Sequence, residues 1–410
     1  MLAGAFGRWH TFAELDTIAT IQENVFTGEF EWLGTVDLAL EKMLLAIDGA
    51  QKSIRFEIYI FRASLIGESF REALVRAARR GVKVQVLTDA LGSIALPEKF
   101  WDPLVQAGGT FRWFNPLKFR RLSFRNHRKS LICDDAIGFV GGFNVAPEYQ
   151  GDGITKGWHD VGMIVTAPLA RELAASFDAL FNMADYRHRR FSRFRKSKIQ
   201  RIASTIDGQV LFTGPSAGPH VMKGALLADA RKARNIDIIS AYFLPPRQFR
   251  RTFAKQARSG GRVRLVMAGK SDVALAQLAA RRLYQGLLTA GVEIYEYQPQ
   301  IMHTKLFLFD NTIYVGSANL DKRSLFINYE LLVRVNKEEV TGWARSFFEE
   351  TLGHSRKIDL ETWRKSRTFW TKLREQWAYL VLSKVDPYLS QLQMSVLRRD
   401  LQKTNTPADF

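Results

Sequence analysis

Two copies of one motif, His-x-Lys-x4-Asp, carry residues that could do chemistry on a phosphate ester. The six motif residues are His127, Lys129, Asp134, His303, Lys305 and Asp310. A neutral imidazole can attack phosphorus, and a protonated one can donate its proton to the leaving oxygen. A lone histidine is more often a satisfied polar residue than a catalyst. A matched pair in two related segments indicates two imidazoles at one catalytic centre.

The spacing within the motif predicts where its side chains point. On a β-strand, residues i and i+2 project to the same face, so each His should lie beside its Lys, while Arg128 and Thr304 point away. The motif Asp is an odd number of residues from its His, so strand parity aims it away from the pocket. We therefore interpret Asp134 and Asp310 as supports of two hairpin turns rather than as acids or bases.

Each motif is followed by two small residues, one variable residue and an Asn. The small pairs, Gly141-Gly142 and Gly316-Ser317, should let a ligand approach the backbone at the end of a returning strand. The predicted phosphate-binding residues are Lys129, Asn144, Lys305 and Asn319. Ammonium and amide groups of this kind would stabilise charge on the non-bridging oxygens. Because this scheme needs no metal and no other His, Asp or Glu cluster has ligand spacing, we expect neither metal nor cofactor.

The motif copies lie in two longer segments that share one order of elements. One runs from SIRFEIYIF (53–61) through GVKVQVLTD (81–89) to the first motif. The other runs from NIDIISAYF (235–243) through RVRLVMAG (262–269) to the second motif. Short β-rich runs alternate with helical windows, which is typical of α/β units. We predict an α/β protein built from two similar lobes.

Changes in composition suggest five segments. They are an N-terminal extension over 1–34, a first lobe over 35–185, a basic linker over 186–204, a second lobe over 205–352 and a C-terminal amphipathic tail over 353–410. Within the linker, YRHRRFSRFRKSKIQR (186–201) has eight Lys and Arg and no acid. This run is either a solvated connection between the lobes or a basic strip that docks on phosphates.

The tail contains one helical face of large apolar residues. That face comprises Trp370, Leu373, Trp377, Leu380 and Val381, and the charged residues lie elsewhere on the helix. Such a helix packs on a lobe, or it lies in a lipid interface with its Trp side chains at headgroup depth. The residues alone leave both readings open.

Charge and composition narrow the class of protein. Lys and Arg total 59 against 41 Asp and Glu, a net charge of +18 that attracts nucleic acid or an anionic membrane. The single cysteine, Cys133, excludes an intrachain disulfide. No uncharged apolar run approaches the roughly 18 residues that cross a bilayer. The start, MLAGAFGRWHTF, is too short and too charged for a signal-peptide core. We therefore expect neither secretion nor a membrane span.

The duplicated motif resembles that of the phospholipase D superfamily, and further blocks resemble bacterial cardiolipin synthases of the short type without N-terminal transmembrane helices. Those blocks are FVGGFN (139–144), GWHDVGM (157–163), AYFLPP (241–246), ARRLYQGLLTAGVEIYEY (280–297) and GSANLDKRSLFINYE (316–330). The resemblance covers about residues 35–350. It implies two lobes, each a mixed β-sheet flanked by helices, related by a pseudo-two-fold axis with the active site between them.

The same resemblance implies an orienting carboxylate for each imidazole. Asp160 and Glu330 match the family positions, and the family pairs them across the lobes, Glu330 with His127 and Asp160 with His303. A catalytic His needs such a partner to determine its tautomer. The family usually assigns the nucleophile to the first motif, which implies that His127 attacks and His303 is the acid and base.

The resemblance implies phosphatidyl transfer between two phosphatidylglycerols, which gives cardiolipin and glycerol through a phosphohistidine. Hydrolysis of phospholipids to phosphatidic acid, cleavage of nucleic acid and binding without turnover remain alternatives. The basic, apolar segment NPLKFRRLSFRN (115–126) and the Trp-bearing tail favour anionic lipid over nucleic acid, although aromatics among arginines can also stack on bases. We expect phosphatidylglycerol and a membrane surface as partners, no nucleic acid, and a peripheral location on the cytoplasmic face. The oligomeric state is left open.

Overall fold

A seven-stranded sheet organises the first lobe in the computed structural model, which describes residues 29–116, 124–184, 202–215 and 220–385. Its strands are β1 (Phe30–Leu33), β2 (Ser53–Ile58), β3 (Lys83–Asp89), β4 (Thr110–Phe114), β5 (Ser130–Cys133), β6 (Ile137–Gly141) and β7 (Gly162–Thr166). The helices of this lobe are α1 (Val36–Gly49), α2 (Leu65–Arg79), α3 (Asp102–Gln106) and α4 (Leu169–Ala184).

A nine-stranded sheet organises the second lobe. Its strands are β8 (Ile202–Ser204), β9 (Gly208–Thr213), β10 (Asn235–Ser240), β11 (Arg262–Ala268), β12 (Glu293–Tyr297), β13 (Lys305–Phe309), β14 (Thr312–Gly316), β15 (Glu330–Val335) and β16 (Ser355–Lys357). The helices are α5 (Val221–Lys232), α6 (Arg247–Arg258), α7 (Ala274–Thr289), α8 (Lys322–Phe326), α9 (Glu338–Gly353), α10 (Leu360–Lys365) and α11 (Phe369–Leu380). A turn of π-helix over Val381–Val385 follows α11.

The two sheets have the same topology. The first has the order β1-β7-β6-β5-β2-β3-β4, and the second has the order β16-β12-β11-β10-β13-β14-β15-β9-β8. In each sheet three parallel strands join an antiparallel run, with β10, β11 and β12 in the places of β2, β3 and β4. Strand β9 takes the place of β1, and the second sheet gains β8 and β16 at its edges. The predicted pair of similar α/β lobes with mixed sheets is confirmed.

Local sequence signals explain the crossover helices. Helix α2 begins after Ser64, whose hydroxyl accepts a hydrogen bond from the Gly67 N–H at 3.4 Å. It ends just before Gly81, which has φ +89°, a conformation that residues with a side chain rarely adopt. The equivalent helix α6 ends before Gly260 with φ +83°. Each parallel crossover therefore stops at a glycine that turns the chain back into its sheet.

The core is arranged in three parts. Helices α1 and α2 cover the outer face of the first sheet, and α5, α6 and α7 cover that of the second. The inner faces share one core, which includes Val140 and Met163 from the first lobe and Leu306 and Val315 from the second. Helix α4 contacts β9 of the other lobe, and α9 contacts β1. Because both lobes bury apolar surface in one core, their relative position is set by packing.

Each sheet includes short edge strands from segments that were predicted to lie outside the lobes. Strand β1 lies within the predicted extension 1–34 and pairs with β7. Strand β8 falls in the predicted linker and pairs with β9, and β16 from the predicted tail pairs with β12. Three- and four-residue strands are too short for composition to reveal. The basic run 186–201 lies outside the described residues, as do 117–123 of the segment before the first motif.

The predicted tail helix is present as α11, but its apolar face does not form the packing surface. Helix α11 packs on α7, and its buried residues are Glu375 and Ala378. Trp370, Leu373 and Trp377 are exposed. Among the described residues, no helix is both long and apolar enough to cross a bilayer.

Candidate active site

Two short backbone pairings between the lobes build the site. In the first, Asn126 forms an isolated parallel β-bridge with Tyr329, and the His127 N–H donates to the Tyr329 carbonyl at 2.9 Å. In the second, His159 bridges Met302, and the His303 N–H donates to the His159 carbonyl at 2.8 Å. Each motif His is thereby held next to the residue that precedes a carboxylate of the opposite lobe.

These pairings modify the predicted strand geometry. Strand β5 begins at Ser130 and β13 begins at Lys305, so His127 and His303 lie in the extended segments that lead into the strands. The reason is that each segment leaves its own sheet to bridge the other lobe. Arg128 still points away from the imidazole, because its guanidinium donates to Ser176 of α4 at 2.9 Å.

His127 is paired with Glu330. Its Nδ1 lies 3.1 Å from Oε2 of this carboxylate, which also accepts a hydrogen bond from the Ser317 hydroxyl at 2.5 Å. Burial raises the pKa of Glu330, but His127, Lys129 and Ser317 outweigh burial, and the pKa is lowered overall. Burial lowers the pKa of His127 despite the carboxylate. At neutral pH an ionised Glu330 therefore faces a neutral imidazole, which favours a proton on Nδ1 and a free lone pair on Nε2.

His303 is paired with Asp160 in the same manner but with a further partner. Its Nδ1 lies 2.7 Å from Oδ2 of Asp160 and 2.7 Å from Nζ of Lys305. Burial and then Lys305 hold the pKa of His303 well below its ordinary value, and the charge on His127 lowers it further. Burial raises the pKa of Asp160 to about 6. A charge on His127 therefore acts on His303, and the Nδ1 atoms of the two imidazoles have different neighbours.

The residue beneath each carboxylate differs between the lobes. Ser317 supports Glu330, while the equivalent first-lobe residue is Gly142. A Cβ on Gly142 would lie 2.4 Å from Oδ1 of Asp160 and 2.6 Å from Oδ2. Because these separations are shorter than van der Waals contact, a side chain at position 142 would displace the Asp160 carboxylate.

Both motif lysines are buried beside their histidines. Lys129 donates to the His127 carbonyl at 2.7 Å, and Lys305 donates to the His303 carbonyl. Burial lowers the pKa of Lys129 to about 7 and that of Lys305 to about 8. An anion entering the site would favour the charged form of both ammoniums, so these groups suit the binding of a phosphate.

The two predicted Asn ligands serve as backbone supports in the structure. Oδ1 of Asn144 accepts the Ile60 N–H at 2.9 Å, and its Nδ2 donates to the Tyr149 hydroxyl at 2.8 Å. Oδ1 of Asn319 accepts the Tyr242 N–H at 3.3 Å. Both side chains hold the loop that follows the first strand of their repeat. Their role as phosphate ligands remains a prediction.

The motif aspartates lie at the far ends of β5 and β13 from the histidines. Asp134 accepts backbone N–H groups from residues 51–53 at 2.7–2.9 Å. Asp310 accepts the N–H groups of Arg234 and Asn235 at 3.0 and 2.8 Å. Asp134 has φ 56° and Asp310 has φ 50°, as a tight turn requires. Both carboxylates therefore hold a turn at the end of their strand that is far from the histidine, and a structural rather than catalytic role for them remains a prediction.

Four aromatic residues that the motif search did not identify surround the imidazoles: Tyr59, Tyr149, Trp158 and Tyr242. The Tyr59 ring is edge-on to His127, with centroids 4.8 Å apart. The Tyr149 and Trp158 rings both lie 5.4 Å from that of His303. Trp158 and Tyr242 belong to the blocks GWHDVGM and AYFLPP, so the resemblance of these blocks to the family already indicated that both residues lie near the site. These rings pack against the two imidazoles.

The arrangement can place two imidazoles, two buried ammoniums and two buried carboxylates around one anionic group. Within the described ranges, no three His, Cys, Asp or Glu side chains are grouped so as to hold a metal ion. One imidazole can attack an electrophile while the other transfers a proton, with the ammoniums stabilising the negative charge.

Comparison with known proteins finds a matching family model and similar proteins. The family model described as cardiolipin synthase, PLD-like domain, matches residues 43–183 and 225–352. Cardiolipin synthase 1 of Bacillus cereus is 32% identical over 342 residues, which cover 80% of this chain and 67% of that protein. The major cardiolipin synthase of Bacillus subtilis is 31% identical, covering 82% of this chain and 71% of the relative. The chain thus spans about two thirds of the length of these relatives.

Solved structures show the same fold. The phosphatidylserine synthase of Haemophilus influenzae matches with a TM-score of 0.69 and 15% identity, covering 92% of this chain and 99% of that one. The polyphosphate kinase of Porphyromonas gingivalis matches with a TM-score of 0.53 and 15% identity, covering 89% of this chain and 53% of that one. At this identity the likeness concerns the fold alone. The family match and the relatives carry the assignment, and the chain belongs to the cardiolipin synthase family of phospholipase D-like proteins.

Proposed function

We propose that this protein is a cardiolipin synthase, a phosphatidyltransferase that converts two phosphatidylglycerols into cardiolipin and glycerol. The observation that carries the proposal is the pair of imidazoles, each held by a carboxylate of the other lobe, at 3.1 Å for His127 and 2.7 Å for His303. The relatives that share this chain's sequence over four fifths of its length are named as cardiolipin synthases.

In the first step, Nε2 of His127 attacks the phosphorus of one phosphatidylglycerol. A P–N bond forms, the bond from phosphorus to the headgroup glycerol oxygen breaks, and His303 gives its proton to that oxygen. Glycerol leaves, and the phosphatidyl group stays on His127 as a phosphoramidate. This step requires a neutral His127 and a protonated His303.

In the second step, a headgroup hydroxyl of another phosphatidylglycerol takes the place of glycerol. His303, now neutral, accepts the hydroxyl proton as the oxygen attacks phosphorus. The P–N bond breaks, its electron pair returns to His127, and cardiolipin is released. Atoms and charge balance over the two steps, and both histidines regain their starting states.

The carboxylate partners of the two imidazoles support these roles, while burial and Lys305 lower the pKa of His303 before substrate binds. The ionised Glu330 favours a proton on Nδ1 of His127, which leaves Nε2 free as a nucleophile. Oδ2 of Asp160 lies 2.7 Å from Nδ1 of His303 and keeps a proton there, so Nε2 can give a proton to the leaving oxygen and later accept one from the incoming hydroxyl. The substrate phosphate would raise the pKa of both histidines, which helps His303 hold that proton.

We further propose that the two lysines hold the non-bridging oxygens and that the protein works peripherally on the cytoplasmic face of the membrane. The net charge of +18 supports attraction to an anionic lipid surface. Phosphatidylglycerol supplies such a surface and is also the substrate.

Mass spectrometry of the lipids after incubation with phosphatidylglycerol vesicles tests the function. We expect cardiolipin and an equal amount of glycerol, in the presence of EDTA as well as in its absence. Phosphatidic acid as the sole lipid product would instead assign a phospholipase D. Parallel samples with single-stranded and duplex DNA test for a nuclease. The variant His303→Ala serves as the inactive control.

A further inference from the structure

One side of the second lobe combines a cationic helix with an exposed aromatic helix. We call this surface the docking face and define it by the exposed cations of α6 and the exposed apolar side chains of α11. None of these residues belongs to the catalytic centre. Two independent features, charge and apolar exposure, distinguish this face.

The cations of α6 form one stripe. Arg247, Arg251, Lys255 and Arg258 are spaced by three or four residues and are exposed, while Phe249 buries its ring on the other side. Helix α6 contains no acid, and in the described parts of the chain these four cations form no salt bridge. They line a groove of about 480 Å³ between α6 and α7.

Helix α11 exposes large apolar side chains to solvent. Phe369 is 71% exposed, Trp370 is 70% exposed and Trp377 is 60% exposed. Leu373 and Leu380 continue the same exposed stripe. Leaving this much aromatic surface in water is unfavourable, so the stripe indicates a partner with an apolar phase.

The two helices are neighbours. The guanidinium of Arg250 on α6 lies 5.9 Å from the centre of the Tyr379 ring on α11. Helix α7 joins them, because Nε of Arg282 donates to Oε1 of Gln376 at 2.6 Å. The cationic stripe and the aromatic stripe therefore lie on neighbouring helices of the second lobe.

We propose that the docking face binds an anionic bilayer, with the α6 cations on lipid phosphates and the α11 aromatics at headgroup depth. This inference rests on the proposed function for the identity of the lipid. Charge complementarity favours a bilayer over a second copy of the chain, since two such faces would repel each other. The equivalent helix of the first lobe, α2, carries Glu68 and Glu72 among its arginines, so the cationic stripe is specific to the second lobe.

The docking face also leads toward the reacting groups. A pocket of about 170 Å³ is lined by Leu382 from the turn after α11, by Tyr242 and by charged residues that include Asp321. The ring of Tyr242 lies 6.4 Å from that of His303. Lys322, another lining residue, donates to the Ser383 carbonyl at 2.7 Å, which ties the end of the tail to this pocket. The pocket therefore lies between the segment that follows α11 and a residue of the catalytic centre.

Vesicle co-sedimentation of the full chain tests the aromatic stripe. The variant Trp370→Ser/Trp377→Ser should bind vesicles of equal phosphatidylglycerol and phosphatidylcholine at least about tenfold more weakly than the wild type. The matched control is Leu65→Ser, which removes an 85% exposed apolar side chain from α2 of the first lobe. It should bind like the wild type. Equal binding of the Trp variant and the wild type would overturn the proposal.

A second variant tests the cationic stripe. Arg251→Gln/Arg258→Gln should weaken binding by about fivefold per removed cation, and this difference should vanish on pure phosphatidylcholine vesicles or at high salt. Arg79→Gln, an exposed cation of α2, is the control and should have little effect.

Two other outcomes would overturn the bilayer as the partner of the aromatic stripe. If mass photometry shows a dimer of the wild type that is lost in the Trp variant, the partner is a second copy of the chain. A Trp variant that melts several degrees earlier would indicate that the chain itself covers the stripe.

A water-soluble, short-chain phosphatidylglycerol separates this inference from the proposed function. The Trp variant should turn over that monomeric substrate at the wild-type rate and lose activity on vesicles. If the wild type turns over neither substrate yet the binding differences remain, the docking face stands and the proposed function fails. If the wild type is active on both and every variant binds vesicles normally, the docking face fails alone.

Discussion

The two catalytic halves share a backbone but differ in the side chains that hold their imidazoles. In one half a longer carboxylate, Glu330, rests on the Ser317 hydroxyl, and in the other a shorter one, Asp160, rests on Gly142. Burial and neighbours leave the pKa of Glu330 lowered and that of Asp160 raised to about 6. A duplicated fold has thus produced two unlike histidine environments. Two-step chemistry requires such a difference, because one imidazole must attack while the other carries a proton.

The largest expected effect comes from removing either imidazole. His127→Ala and His303→Ala should each lower turnover by at least about 10⁴-fold, because one removes the covalent step and the other removes proton transfer. Because the two histidines have different roles, the two variants should be blocked at different steps. With a phosphatidyl substrate that has a good leaving group, His303→Ala should accumulate a base-stable phosphohistidine, and His127→Ala should not.

Mass spectrometry of the quenched protein detects that adduct. A phosphohistidine at position 303 in the His127→Ala variant would reverse the assignment of roles.

The lysines should give the next largest effect. Lys129→Met and Lys305→Met should lower kcat by about 10²–10³-fold, since each removes a cation from the developing phosphoryl charge. We expect the larger loss for Lys305→Met, because only Lys305 also contacts Nδ1 of its histidine. Steady-state kinetics with the exposed Lys156→Met as control checks this order. Equal losses would show that the contact with Nδ1 has no catalytic consequence.

Exchanging the residues beneath the carboxylates tests the comparison directly. Gly142→Ser should lower kcat by about 10²-fold, because the new Cβ would push Asp160 and with it the His303 ring. Ser317→Gly removes one hydrogen bond from Glu330 and should cost about tenfold or less. Rates per folded molecule provide the measurement, with circular dichroism to confirm folding. A harmless Gly142→Ser would contradict the steric account.

The two carboxylates should affect stability with opposite signs. The folded pKa of Asp160, about 6, exceeds its ordinary value of 3.8, so its stabilising contribution is complete below about pH 4 and is lost as pH rises through 6. Asp160→Asn should therefore raise the free energy of unfolding at pH 8 relative to the wild type, on the order of 1–3 kcal/mol. The folded pKa of Glu330 is lowered, so its contribution is present at neutral pH and is lost on acidification. Glu330→Gln should destabilise at pH 8.

Thermal melting at pH 8 and pH 4 checks both signs. Both differences should shrink at pH 4. Two variants that shift the melting temperature in the same direction at pH 8 would refute the contrast between the halves.

The smallest catalytic effect is expected for the motif aspartates. Asp134→Ala and Asp310→Ala each remove a carboxylate that accepts at least two backbone N–H groups, so each should lower the free energy of unfolding by about 2–3 kcal/mol. Activity per folded molecule should stay within about twofold of the wild type. Chemical denaturation and active-site-normalised kinetics measure the two quantities. A large loss of kcat in a folded variant would show that these aspartates take part in catalysis.

Much of the fold and the site follows from local sequence. The repeated order of strands and helices predicts two similar lobes, and the spacing of Asp134 from His127 predicts that the carboxylate supports a turn. Both properties depend on strand parity and turn chemistry, which act over a few residues. The carboxylates could be found only through the likeness of GWHDVGM and FINYE to a family, because nothing in the spacing links Asp160 to His303.

The sequence alone could not predict the environment of the tail helix. The spacing of Trp370 and Trp377 correctly predicts a helix with one apolar face. The spacing does not say whether that face packs on the protein or remains exposed. The contact of α11 with α7 through Glu375 and Ala378 decides this, and it depends on residues far apart in the chain.

The sequence by itself determined the reacting groups: two histidines, two lysines and their order on two repeated units. The tertiary structure decided how each histidine meets the carboxylate of the opposite lobe that the family resemblance implies, that the lysines are buried, and that Asp160 packs directly on Gly142. The physical reason is range. Strand periodicity and turn preferences act between near neighbours, whereas burial, charge coupling and steric fit arise from packing between residues that the chain separates widely.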